Sequence, residues 1–290
     1  MAVAITDIQR AAAAAMAAVA GLGLDVDRSV VLHASNRVAV RLLPSDVVAR
    51  VALPAHETMQ LEVDLALRLA GPASPVAALD PRVPARVHER DGYAISLWTH
   101  HEARPSSQLT PGAYADALFR LHRGMQRLDL ATPHVLDRVR EAELIVSNRE
   151  QSPSLEETDR ALLMRTFANQ RLALGGRGPA EQVVHGEPHP GNLLNTRQGP
   201  LFIDFETACR GPVEFDLAHV PDAVGRRYPN VDQELLDELR ILVLAMVAAW
   251  RMDPGDQLPN GDRALRELLA ALRSGPPYPT LDQISGPGSG

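Results

Sequence analysis

The sequence is poor in several things, and each shortage narrows the function. It has one cysteine, Cys209, so no intrachain disulfide and no four-cysteine zinc site can form. A lone thiol fits a reducing cytoplasm. It has no block of Lys and Arg, and its formal net charge is -7. A duplex-DNA binder carries a basic face, so a nucleic-acid partner is not expected. An acidic chain can favour cationic ligands, although acidity also serves solubility alone. Long apolar runs are missing too. The stretch Ile241 to Trp250 is too short to span a bilayer. The Ala-rich segment Ile8 to Gly23 lacks a basic start and follows Asp7 and Arg10. It reads as a helix of a soluble protein rather than an export signal, and no membrane partner is expected.

What is present is an ordinary globular composition, 45% hydrophobic and 22% charged over 290 residues. That is one large domain or two small ones, each able to bury a core. After a helix over Asp7 to Val19, Val38, Val40 and Leu42 alternate with Arg37, Ala39 and Arg41. Val47, Ala49, Val51 and Leu53 alternate with Val48, Arg50 and Ala52 in the same way. This is the period of half-buried strands, and Ser29 to Leu53 reads as a three-strand antiparallel meander. A helix over His56 to Ala70 carries the stripe Leu61, Leu65, Leu69. Strands near 85–89 and 93–98 face each other across Asp91-Gly92, a hairpin turn signal.

After Trp98 the texture changes to a polar stretch, 99–110, where a boundary is expected. Helices are predicted over 111–127, 134–147, 155–174, 231–252 and 261–273. The tail from Gly275 is rich in Gly, Pro and Ser. The expected division is 1–98 as a sheet-bearing lobe, 99–110 as a hinge, 111–274 as a helical lobe and 275–290 as a flexible tail. Such an α+β chain in two lobes would hold its ligand in a cleft.

The helical half is interrupted at 183–206 by the densest chemistry in the chain: His185-Gly186-Glu187-Pro188-His189-Pro190-Gly191-Asn192, a short strand, a turn, and a return strand bearing Asp204. In an antiparallel pair the start of one strand lies beside the end of the next. Asn192 and Asp204 are therefore expected to be neighbours, an amide oxygen and a carboxylate suited to Mg²⁺. Glu187 can face the same place and accept a proton from a hydroxyl. The alternation His185, Glu187, His189 fits neither the helical spacing of zinc proteases nor a deaminase signature.

This segment resembles the catalytic loop of aminoglycoside phosphotransferases and related small-molecule kinases, usually H-G-D-x-x-x-x-N, followed by a metal-binding I-D-F segment. The resemblance implies a bilobal protein-kinase-like fold: a small antiparallel-sheet lobe and a larger helical lobe. It makes Glu187 the catalytic base and Asn192 and Asp204 the magnesium ligands. Asp216, in Phe215-Asp216-Leu217-Ala218, becomes a brace for the loop. It puts Arg50 where the family has a phosphate-binding Lys, Glu62 where its partner carboxylate stands, and Ser35 in the place of a phosphate loop. Trp98 and Thr99 fall at a hinge that would hold a nucleotide base.

Two departures stand out. Glu replaces Asp at 187, and Arg replaces Lys at 50. The function implied is transfer of the γ-phosphate of ATP, or of GTP, to a hydroxyl of a small molecule with Mg²⁺. Aminoglycosides, sugars and amino alcohols are all candidate acceptors. Glu214, Asp222, Asp232, Glu234, Asp253 and Asp256 are carboxylates that could meet a cationic one. The alternative is a nucleotide-binding pseudokinase acting through partners. A cytoplasmic monomer or homodimer is expected.

Overall fold

A computed structural model describes residues 5–34, 37–53, 57–178, 180–252 and 261–284. The chain divides into two compact units, 1–108 with 193–207, and 109–192 with 208–290. The first break falls inside the expected hinge. The hairpin at 193–207, which sequence order alone assigns to the helical half, belongs to the first unit.

The first unit is an antiparallel sheet of five strands: β1 (Val26–Ala34), β2 (Val38–Pro44), β3 (Val47–Ala52), β4 (His88–Arg90) and β5 (Tyr93–Thr99). Their spatial order is β1-β2-β3-β5-β4. The alternation seen in the sequence sets the two faces. Val38, Val40, Leu42, Val47, Ala49 and Val51 are buried against Ala11, Ala14, Ala15 and Ala18 of helix α1 (Ile5–Gly21). Alanine suits that helix because a small side chain lets it approach the sheet closely. The β4–β5 turn has Asp91 at φ 49° and Gly92 at φ 80°, the left-handed pair that a tight hairpin requires. Helix α2 (Glu57–Leu69) buries Met59, Val63, Leu65 and Leu69 and, among these apolar residues, the carboxylate Glu62.

The hairpin β7 (Leu193–Thr196) and β8 (Gly199–Phe202) pairs Leu193 with Phe202. Two sets of bonds tie it into the first unit. Phe202 N–H donates to Pro75 O at 2.7 Å and Ala77 N–H to Phe202 O at 3.0 Å. Arg104 N–H donates to Asn195 O at 2.7 Å, and Asn195 Nδ2 donates to Pro105 O at 3.0 Å.

The second unit is mainly helical: α3 (Pro111–Met125), α4 (Val135–Ser147), α5 (Glu157–Arg177), α6 (Val213–Leu217), α7 (Asp222–Gly225), α8 (Gln233–Trp250), α9 (Gly261–Ser274) and α10 (Leu281–Ile284). Strands β6 (Gln182–Val184) and β9 (Cys209–Gly211) pair antiparallel. Helix α3 opens with Thr110, whose side chain accepts from Ala113 N–H, and with Pro111 in the first turn, both ordinary start signals. Helix α8 packs against α4, α5, α6 and α9 and buries Leu235, Leu239, Leu242, Val243 and Met246. At about 1.5–3 kcal/mol per buried aliphatic side chain, this helix is a main source of the unit's stability. In the expected tail, 281–284 form a helical turn and Thr280 is buried; 285–290 lie outside the described residues. Among the described residues no helix is long and apolar enough to cross a membrane.

Candidate active site

In the first unit, strand alternation puts Arg50 on the sheet face opposite α1, paired in register with Ala39 and Ser96. Its guanidinium joins two carboxylates. Nη1 meets Glu62 Oε1, and Nη2 meets Asp204 Oδ1 at 2.7 Å. A second guanidinium, Arg37, serves the same cluster. Its Nη1 is 3.0 Å from Glu62 Oε2, its Nη2 2.7 Å from Glu206 Oε2, and Nη2 also donates to Thr58 Oγ1 at 2.9 Å. Phe205 N–H donates to Glu62 Oε1 at 3.3 Å. Glu62 is fully buried and Arg37 nearly so.

Burial pushes the Glu62 carboxyl above its ordinary range, and Asp204 and Glu206 push the same way, while Arg50 and Arg37 oppose them. Burial also works against the Arg50 charge, but Glu62 and Asp204 override it and raise that group further. The sequence contains no lysine. An arginine keeps its proton in such a site and offers a planar fork that can serve two carboxylates at once.

The pairing of Arg50 with Glu62 is legible in the sequence; Arg37 is not singled out there. The signal that finds it is phase. Positions 37, 39 and 41 alternate with the buried 38, 40 and 42, and so share Arg50's face. Asp204 lies just past β8 with φ 67°, left-handed backbone uncommon for a residue with a side chain. Ser35 is outside the described residues. Trp98 is buried and its indole N–H donates to Ser96 Oγ at 2.8 Å. Thr99 N–H donates to Ala78 O at 2.9 Å, so that group is already engaged inside the unit.

In the second unit the loop after β6 is fixed by Asp216 of α6, which is fully buried. Its Oδ2 accepts from His185 N–H and its Oδ1 from Gly186 N–H, each at 2.8 Å. His122 of α3 adds Nε2 on Oδ2 at 2.8 Å, and its Nδ1 lies 2.7 Å from Tyr228 Oη. Opposite a carboxylate, Nε2 carries the proton. Burial works against the Asp216 charge, but the bonds from His122 and His185 override it and hold the carboxyl below its ordinary range. The backbone around Glu187 is held in turn. Its N–H points to His185 Nδ1 at 3.4 Å, and its carbonyl accepts from Asn192 Nδ2 at 3.0 Å. Tyr114 Oη donates to Pro188 O. His122 carries no sequence motif, which is why this brace is invisible before folding.

His219, two residues beyond α6, is buried. Its ring stands edge-on to Phe215 at 5.0 Å, and Nδ1 donates to Phe215 O at 2.9 Å. Burial lowers its pKa to about 4; Phe215 O and Asp216 raise it, and His189 and His185 lower it further. The unfolded chain binds that proton near pH 6.5, so His219 contributes stability above pH 6.5 that is lost as pH falls towards 4. The loss is about 1.4 kcal/mol per pH unit. Urea midpoints of the wild type should therefore fall more steeply over this window than those of His219→Gln. Equal slopes would show that His219 is protonated in the fold.

Among the described residues no three His, Cys, Asp or Glu side chains are arranged to hold a metal ion. Magnesium needs fewer, since phosphate and water complete its shell. Asn192 fits such a role. With Nδ2 committed to Glu187 O, its amide oxygen is the acceptor left to bind. In the first unit, Asp204 is 28% exposed. Three of the acidic residues suggested for a cationic acceptor have partners within the fold. Glu214 is buried and accepts from Asp232 N–H at 3.1 Å. Asp222 pairs with Arg226 and Arg240, and Asp232 caps α8. Asp253 and Asp256 lie outside the described residues.

Solved structures resemble the whole chain. An amicoumacin kinase in complex with AMP-PNP, Ca²⁺ and Ami is 10% identical, with TM-score 0.70 over 97% of this chain and 99% of that one. A spectinomycin phosphotransferase in complex with ADP and spectinomycin is 14% identical, with TM-score 0.61 over 91% of this chain and 93% of that one. A putative fructosamine-3-kinase from Thermobifida fusca is 17% identical, with TM-score 0.60 over 91% of this chain and 98% of that one. At such identities the likeness establishes the protein-kinase-like fold of aminoglycoside kinases. No curated protein sequence matches the chain. The phosphotransferase enzyme family model matches residues 28–251. That is most of the sequence and takes in both the Arg50–Glu62 pair and the loop around Glu187, so the chain belongs to the phosphotransferase enzyme family.

Proposed function

We propose that this small-molecule kinase transfers the γ-phosphoryl group of ATP to a hydroxyl in a magnesium-dependent reaction. The observation that carries the reading is the buried bridge from Glu62 through Arg50 to Asp204. A cation held this firmly beside a partly exposed carboxylate is what a phosphate chain with its metal requires. In this reading Arg50 meets the phosphates, while Glu62 and Arg37 fix its place. Asp204 and Asn192 would hold the metal, which would supply positive charge to offset that of the phosphates. Glu187 orients the acceptor hydroxyl and takes its proton. The acceptor oxygen bonds to the γ-phosphorus as the bridging bond breaks, and the nucleoside diphosphate leaves with that electron pair. Nucleotides bound to the amicoumacin and spectinomycin kinases support the choice of donor. The acceptor is a small hydroxylated molecule such as an aminoglycoside, sugar or amino alcohol. The single buried thiol favours a cytoplasmic setting.

The test is thermal stabilisation by ATP. A ligand at about 100 times its Kd stabilises by about 2.7 kcal/mol, a rise of roughly 5 °C or more for a chain of this size. The wild type should show this with ATP and Mg²⁺ together, and Asp204→Ala should not. No shift with ATP or GTP at millimolar concentration would overturn the proposal and leave a protein that acts through partners.

A further inference from the structure

Glu187 stands between two anchored backbone groups. Before it, Gly186 N–H is held by Asp216. After it, the Pro188 carbonyl accepts from Tyr114 Oη. Proline has no N–H, so that carbonyl is the only backbone group through which residue 188 can be hydrogen-bonded. Tyr114 is 3% exposed, and burial, with Asp216 nearby, pushes its phenol well above the ordinary range. It is therefore a permanent donor. A hydroxyl buried this deeply needs a partner, and phenylalanine would fill the same apolar space without one. Tyr114 and His122 both belong to α3. Eight residues span about 12 Å of helix, so a single element reaches the loop on both sides of Glu187, directly at Pro188 through Tyr114 and indirectly at 185–186 through His122 and Asp216.

We infer that Tyr114 is a positioning residue for Glu187, acting through the Pro188 carbonyl; the inference rests on the reading of Glu187 as proton acceptor. The longer side chain of Glu makes the anchor matter more. Its carboxylate is placed by the backbone and three rotatable bonds, and a misplacement of ~1 Å can cost ~10²-fold in rate. Arg50, Glu62 and Asp204 belong to the other compact unit, and of the residues proposed for MgATP only Asn192 lies on this loop, so Tyr114→Phe should change nucleotide affinity far less than turnover.

The experiment is Tyr114→Phe, alone and combined with Glu187→Ala, assayed with MgATP and either spectinomycin or water as acceptor. Expected is a kcat lower by roughly 10²-fold with the KM for ATP changed less than about 2-fold. In the Glu187→Ala background the same change should lower the residual rate by less than about 2-fold. An equal loss in both backgrounds means a merely structural role and overturns the inference. So does a wild-type kcat in Tyr114→Phe beside a crippled Glu187→Ala, which leaves the proposed base standing. Full turnover by Glu187→Ala overturns both readings. Hydrogen exchange needs no acceptor. The Gly186 and Asn192 amides should lose protection in Tyr114→Phe while those of α3 keep theirs, and unchanged exchange overturns the inference.

Discussion

Replacing Glu187 with alanine should lower kcat about 10³-fold and leave ATP binding within about 2-fold of wild type. A positioned general base contributes ~10²–10⁴-fold. Phosphoryl transfer sits in the middle of that range, because much of its catalysis is positioning and charge stabilisation by other groups. The substitution is a clean one. The loop is held through backbone groups, Gly186 N–H on Asp216 and Glu187 O on Asn192 Nδ2, and these survive loss of the side chain. Glu187→Asp restores the family's usual residue but retracts the carboxylate by about one methylene. In a loop adapted to Glu, roughly 10²-fold should be lost. Steady-state kcat and ATP-induced melting shifts, measured on the same preparations, separate chemistry from binding. An alanine variant with unimpaired turnover, or one that no longer binds ATP, would mean the side chain has another task.

How much of this was legible before folding depends on the range of the interaction. The meander was legible because alternation at 38–42 and 47–51 is local and sets a face directly. The Asp91-Gly92 turn was legible because its backbone demand falls on two adjacent residues. The helices α3, α4, α5, α8 and α9 fall close to their predicted spans. What the sequence hides is buried polar chemistry between distant segments. Tyr114 reaches Pro188, and His122 reaches Asp216, across 74 and 94 residues. An aromatic or a histidine on an amphipathic helix looks like core or surface until its partner is known. The hairpin at 193–207 shows the same limit. Its strands are local and were readable, but its place in the first unit is decided by Pro75, Ala77, Arg104 and Pro105. The acidic residues offered to a cationic acceptor illustrate the converse. Their charge is plain in the sequence, yet Asp222 and Asp232 are engaged with Arg240 and the α8 N-terminus.

The largest stability effect should come from Glu62→Ala. Each Glu62 oxygen meets a guanidinium, and one also accepts the Phe205 N–H. The side chain is fully buried. Removing one member of a buried ion pair typically costs about 3–5 kcal/mol, since the charge left behind keeps its desolvation penalty. Arg50 retains Asp204, and Arg37 retains Glu206 and Thr58, which argues for the lower end of that range. A fall of roughly 5 °C in Tm is expected. Glu62→Gln keeps the shape and one acceptor and should cost less. ATP-induced stabilisation should fall in both variants, because Arg50 would then be held by Asp204 alone and drawn onto the carboxylate proposed for the metal. Arg37→Met separates the two effects. It removes a clamp on Glu62 without touching Arg50 or Asp204, so it should destabilise while leaving much of the ATP response. If Glu62→Ala melts within about 1 kcal/mol of wild type, the five charged side chains act as independent surface pairs. Arg50 would then owe its position to the sheet alone.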